Sequence, residues 1–214
     1  MRIGILGSGL MGAKLGTIFA RAGHEVTFSY ARNHDKLKRL ARDAQGNARA
    51  GTPLEAAKDA DALLLAVHWS RIDDVLKQAG DLSGKVIVTC CLPMDTADTK
   101  LILGTTTSGA EELAKKLPRA HVVLAFNTVP SEVLFGVFES KTKNPRPSLV
   151  YCGDNQSAKK AADKLIHDAG FDPVDAGKLR IARYTEPFAL LVAQLAYGGD
   201  GGPELAYRFE RFRK

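Results

Sequence analysis

Three glycines in the first dozen residues, MRIGILGSGLMG, constrain this chain more than any other feature. Gly7, Gly9 and Gly12 keep the spacing G-x-G-x-x-G. They follow an apolar run (residues 2–6) and precede a stretch with Leu15, Ile18, Phe19 and Ala22 at helical spacing, which Gly23 ends. Strand, glycines and helix in that order are the context a dinucleotide fingerprint requires. Gly7 allows the tight turn, Gly9 lets a pyrophosphate approach the backbone, and Gly12 lets the helix pack close to the strand. The phosphates then meet free N–H groups and the positive dipole end at a helix N-terminus. A Gly-rich turn without a ligand is the bland alternative, and the strand over residues 25–29 that follows favours the dinucleotide.

The end of that second strand selects the cofactor. NAD-binding chains place an acid there for the ribose hydroxyls. This chain reads Ser29-Tyr30-Ala31-Arg32-Asn33-His34-Asp35-Lys36, with no acid closing the strand. Ser29, Arg32 and Lys36 attract a 2′-phosphate that a carboxylate would repel, so the expected cofactor is NADP(H). The alternative makes Arg32 and Lys36 solvated charges at the start of a surface helix.

A length of 214 residues at 45% hydrophobic content suffices for one sizeable core. The net charge of +6 is scattered, and no nucleic-acid module accompanies it, so an anionic small molecule is the expected partner. Cys90 and Cys91 are adjacent in a predicted strand and Cys152 is distant. They form neither a disulfide framework nor a metal-ligand spacing, which fits a reducing, cytoplasmic setting. No stretch has the length of a membrane span, and Gly interrupts the superficial likeness of the start to a signal peptide.

Alternating strands and helices along the chain predict an α/β, Rossmann-type doubly wound, mostly parallel sheet with a short C-terminal helical extension. The expected organisation is a dinucleotide domain over residues 1–178, with residues 179–214 packing on it. Helices are expected at about 13–22, 36–43, from a capping box at Thr52-Pro53-Leu54-Glu55, 70–78, from a second box at Ser108 to about 117, 155–169 and 179–196, where Pro187 kinks or restarts the last. Strands are expected at 48–50, 60–67, 85–89, 121–125, 148–152 and 173–175. Residues 131–147 read as irregular, and Phe209 and Phe212 in the tail read as an i, i+3 packing pair.

Ligands of such sheets lie beyond the carboxyl ends of the strands. Three exits should flank ribose and nicotinamide: Val67-His68-Trp69, Cys91-Leu92-Pro93-Met94 and the run from Phe126 through Asn127 to Pro130. Trp69 has a face suited to packing on a ring, or anchors the next helix. His68 is a cofactor contact and a candidate proton donor, or a structural histidine. Asn127 orients a carboxamide or the acceptor, or forms a strand-end turn. No catalytic group stands out beyond the weak candidates His68, Asn127 and Tyr184, and no metal site is expected.

The stretches MRIGILGSGLMG, GHEVTFSYAR, LLLAVHW, TSGAEELAKKLP, VVLAFNTVPSE, VYCGDN and DAGKLRIARYTEPFALLVAQLAY resemble the coenzyme F420-dependent NADP reductase family, whose cofactor domain is shared with pyrroline-5-carboxylate reductases. The resemblance implies NADP(H) binding, hydride transfer at the nicotinamide and a homodimer. It assigns Ser8, Gly9, Leu10 and Met11 to the pyrophosphate, Ser29, Arg32 and Lys36 to the 2′-phosphate end, and Trp69 and Met94 to the cofactor groove. No counterpart of the large helical domain of the pyrroline-carboxylate enzymes is expected, so their substrate is not expected either. The glycine loop reads GSGLMG where archaeal F420-dependent members have a GGTGNLG-type loop, and Asn127-Thr128 stands where they have His-Thr. The acceptor expected first is a deazaflavin (coenzyme F420) or a flavin, with the basic run from Lys141 to Arg146 meeting an anionic tail. Reduction of a small carbonyl, imine, quinone or ferric substrate, with His68 or Tyr184 as proton donor, is the second expectation. A non-catalytic NADP(H)-sensing module is the third.

Overall fold

A computed structural model describes residues 1–212 of the chain. Its eight strands form one sheet in the order β3-β2-β1-β4-β5-β6-β7-β8. The strands are β1 (Arg2–Leu6), β2 (Glu25–Ser29), β3 (Ala48–Ala50), β4 (Ala62–Leu65), β5 (Val86–Thr89), β6 (His121–Leu124), β7 (Ser148–Gly153) and β8 (Asp172–Asp175). The helices are α1 (Leu10–Arg21), α2 (His34–Asp43), α3 (Pro53–Lys58), α4 (Ile72–Ala79), α5 (Gly109–Lys116), α6 (Val133–Glu139), α7 (Gln156–Asp168) and α8 (Ala182–Tyr197). Every pairing is parallel except β6 with β7. Order 3-2-1-4-5-6 is the dinucleotide-binding order, and the chain reverses direction across the sheet between β1 and β4.

The central strands are buried on both faces, as their unbroken apolar runs require. One layer packs Ile3, Ile5, Phe28 and Leu64 against α1, α2, α6 and α7; the other packs Leu6, Leu63, Leu65 and Ile87 against α3, α4, α5 and the start of α8. Cys90 and Cys91 lie just past β5 and enter opposite layers.

Four local expectations need correction. Residues 131–147 contain α6, whose Val133, Leu134, Val137 and Phe138 fill the first layer. Pro187 lies inside α8, which does not restart there; one missing N–H is outweighed by the buried face of Ala182, Ala189, Val192 and Ala196. Ser108 caps α5, but Glu111 bonds the Ser108 hydroxyl and Arg183 instead of completing the box. The tail is extended, with Tyr207 O accepting from Ser148 N at 2.8 Å. Phe209 stacks there with Phe188 and Tyr207, whereas Phe212 is 95% exposed, so the two phenylalanines are not a pair. Among the described residues no helix is long and apolar enough to cross a membrane.

Candidate cofactor and acceptor site

The three glycines meet three different constraints. Gly7 has φ +121, and a Cβ there would lie 2.3 Å from Ala66 O. A Cβ on Gly12 would lie 1.8 Å from Gly7 O. A Cβ on Gly9 would meet nothing within 4 Å, so its space is open toward the crevice. Gly9 is also the N-cap of α1, where no side chain caps the helix and no acid stands in the first turn. Uncapped N–H groups beside an open glycine fit a pyrophosphate.

A cavity of about 620 Å³ opens on the β2 side of this loop. Gly7, Ser8, Gly9, Tyr30, Arg32, Lys36, Val67 and His68 line it, as the strand-exit argument predicts. Arg32 and Lys36 are exposed and have no ion-pair partner among the described residues. They fit the 2′-phosphate of an adenosine ribose. Ser29 does not take part through its hydroxyl. It is fully buried and donates to Ile5 O at 2.7 Å, satisfied inside the sheet. Tyr30 has φ +59, a left-handed conformation rare for a bulky residue. That conformation is held by Ser8 Oγ donating to its carbonyl (3.2 Å) and by its hydroxyl bonding Asp74 and Arg71. Arg71 also lies 5.9 Å from the Tyr30 ring centroid. Arg71, Asn33, His34 and Thr52 line this cavity and were not singled out from the sequence. A basic residue opening the helix past the fourth strand was the available signal for Arg71.

A second cavity, about 270 Å³, lies on the other side of the loop. Leu10 and Met11 form its near wall, Cys90, Leu92, Phe126, Asn127, Val129, Pro130 and Ser131 its floor, and Ala189, Val192, Ala193 and Tyr197 of α8 its far wall. No charged side chain lines it. Burial pushes the Cys90 thiol well up, so it stays protonated and is no nucleophile. Tyr197 donates to Glu132 Oε2 at 2.8 Å, and burial with this carboxylate raises its hydroxyl to about 12.

Of the other sequence candidates, only His68 and Asn127 line a cavity. Trp69 and Pro93 pack over the start of α5, where a Cβ on Gly109 would meet Pro93 Cδ at 2.9 Å and Trp69 Cζ3 at 3.2 Å. Met94 forms an isolated bridge with Leu101. None of the three lines either cavity, because the chain beyond β5 folds over α5. His68 Nδ1 accepts from Ser70 N (3.2 Å), and Nε2 faces Asp95 O (3.2 Å) and Asp98 (3.1 Å). Both nitrogens are engaged in holding a loop, which leaves no free proton donor. Tyr184 is 62% exposed and lies outside the cavities. Asn127 is at the second cavity.

One buried carboxylate was not anticipated as a structural element. Glu186 accepts from Gly109 N (2.9 Å) and Ala110 N (3.0 Å), docking α8 on the N-terminus of α5. Burial pushes its pKa up to about 7 against those two N–H groups. Among the described residues no group of three or more His, Cys, Asp or Glu is placed to hold a metal.

Comparison with known proteins matches this arrangement. Metalloreductase STEAP3 of Rattus norvegicus is 29% identical over 189 residues, 88% of this chain and 36% of that protein, so the chain spans about a third of that relative. A candidate F420-dependent NADP-reductase from Arthrobacter sp. FB24 superposes with TM-score 0.85 at 23% identity, covering 99% of this chain and all of that one. A reductive aminase from Aspergillus terreus, solved with NADPH4, superposes with TM-score 0.65 at 18% identity over 91% of this chain and 60% of that one. These two likenesses speak to the fold. Residues 2–93 match the family described as NADP oxidoreductase, coenzyme F420-dependent. Over that stretch, which holds the glycine loop and most of the 620 Å³ cavity wall, the chain is similar to this family of NADP oxidoreductases.

Proposed function

We propose that the protein transfers hydride between NADP(H) and a flat conjugated acceptor of the deazaflavin or flavin type. The observation that carries this reading is the 270 Å³ cavity beside the glycine loop, apolar on most of its wall and free of charged lining. Bound NADPH supplies the hydride at nicotinamide C4. The chain then has to align two rings and keep water away, and needs no acid–base pair for that. Leu10, Met11, Leu92, Val129 and Val192 do this by shape. Past Ser131 and Glu132, a 440 Å³ cavity presents Lys143 and Arg146, the groups that would meet an anionic tail on the acceptor, beside the carboxylates of Glu132 and Glu204.

The test is NADPH oxidation by the purified protein with F420 and FMN as parallel acceptors, followed at the nicotinamide absorption band. Turnover with either supports the reading. Saturable NADPH binding without turnover on both counts against it. The likeness to a metalloreductase favours one second reading, reduction of a ferric substrate, and ferric citrate with and without FMN belongs in the same screen. Tight NADPH binding with no acceptor of any class would leave the sensing module.

A further inference from the structure

Asn127 has one amide group satisfied and one unsatisfied. Its Nδ2 donates to Thr185 O on α8 at 3.3 Å, which fixes the orientation, since a carbonyl pairs only with the N–H2 half. Its Oδ1 is buried and has no partner. Buried acceptors in folded proteins are paired, and one that stands unpaired calls for a donor from outside the chain. Phe126, immediately before it, has φ +64 with its ring fully buried, edge-on to Phe19 at 6.1 Å. A bulky residue keeps that conformation only where its surroundings impose it, and such strain gathers at ligand sites. Here the turn brings Asn127 to the cavity floor just past β6.

The other polar side chains of this wall are occupied. Ser131 Oγ donates to Glu132 and accepts from Lys14, Tyr197 donates to Glu132, and Cys90 Sγ points to Leu65 O. The cavity begins at Leu10 and Met11, so the part of a dinucleotide beyond its pyrophosphate enters it first. That part carries a carboxamide N–H2. We propose that Asn127 is a positioning residue for the nicotinamide: Oδ1 accepts a hydrogen bond from the carboxamide N–H2 and sets the rotation of the ring, hence the face shown to the acceptor. The proposal rests on the dinucleotide reading of the site.

The test compares three ligands by calorimetry on wild type and Asn127→Ala. NADP⁺ has the full carboxamide. Its 3-acetylpyridine analogue keeps the carbonyl and lacks the N–H2. 2′-Phospho-ADP-ribose lacks the ring. Wild type should bind NADP⁺ about tenfold tighter than the acetyl analogue, the equivalent of one good hydrogen bond. Asn127→Ala should bind both alike, while its affinity for 2′-phospho-ADP-ribose stays at the wild-type value. The proposal is overturned if the variant discriminates as well as wild type, or if it loses 2′-phospho-ADP-ribose in step with NADP⁺, which marks a structural role. Should the variant fold poorly, the wild type decides: equal affinity for NADP⁺ and the analogue overturns the proposal. Failure of wild type to bind even 2′-phospho-ADP-ribose overturns the dinucleotide reading itself, and is distinct from the other outcomes.

Discussion

Gly9 and Gly12 stand three residues apart and answer to different demands, which substitution separates. A methyl on Gly12 would collide with Gly7 O at 1.8 Å, backbone against backbone. Gly12→Ala should therefore lose stability, by about 2 kcal/mol or more. Gly9 has an ordinary extended backbone, φ −70, and open space in front of it. Gly9→Ala should melt like wild type yet bind NADPH at least about tenfold more weakly, because the methyl occupies the pyrophosphate's approach. Equal loss of melting temperature in both would refute the distinction. At the other end of the cavity, Arg32→Ala should weaken NADPH by about ten- to a hundredfold through one lost charge-assisted contact and leave NADH nearly unchanged. Ser29→Ala should leave the ratio of NADPH to NADH affinity alone and lower stability by about 1 kcal/mol, since its hydroxyl serves Ile5 O. Titrating both cofactors into both variants checks this. From sequence, Arg32 and Ser29 looked equivalent. Only the pairing of β1 with β2 reveals which of the two faces solvent.

Among elements, α8 is held by a carboxylate at an unusual ionisation point. The Glu186 pKa lies at about 7 in the folded chain because of burial, and at an ordinary 4.5 unfolded. Between these values the unfolded chain has released a proton that the folded chain keeps. Stability therefore falls as pH rises from about 4.5 to about 7, and stays level above that. Arg183 does not relieve this, being paired with Glu111 at 2.7 Å. Glu186→Gln cannot ionise. It gives up part of one N–H bond at every pH, so the variant's melting temperature relative to wild type should climb by several degrees from pH 5 to pH 8. A pH-independent difference would refute the role. The sequence showed α8 through its apolar spacing but could not show where Glu186 docks, since Gly109 lies 77 residues away. It likewise hid α6, whose VLFGVFE is rich in β-branched and aromatic residues and contains a glycine. That helix exists because four of its side chains fill the layer beside α1, a long-range cause. By contrast, the Thr52–Glu55 box was legible because its determinants are local.

For the whole molecule, the open question is what covers the outer face of α8. Tyr184, Leu191 and Leu195 stand seven and four residues apart on one face of α8, the spacing of a helix–helix seam, and Phe188 between them packs against Tyr207 and Phe209 of the tail. Tyr184, Leu191 and Leu195 are 62%, 54% and 60% exposed. No charged residue occurs from Pro187 to Tyr197, so a charged partner surface finds nothing there to pair with. Each α8 offers the same apolar stripe, and a twofold axis pairs such a stripe with itself without opening a further site. The homodimer expected from the family resemblance is thus a proposal with a surface: two α8 helices packed across an axis. Their inner faces form the far walls of the two acceptor cavities. Light scattering after size exclusion should give twice the chain mass for wild type at micromolar concentration. Leu191→Glu combined with Leu195→Glu should give the single mass. The split chain should still bind NADPH, because the glycine loop and the Arg32 side of the crevice lie on other elements. Acceptor turnover should fall, because α8 then lacks the partner that steadies its cavity-facing side. A monomeric wild type, or a dimer indifferent to both glutamates, would place the interface elsewhere.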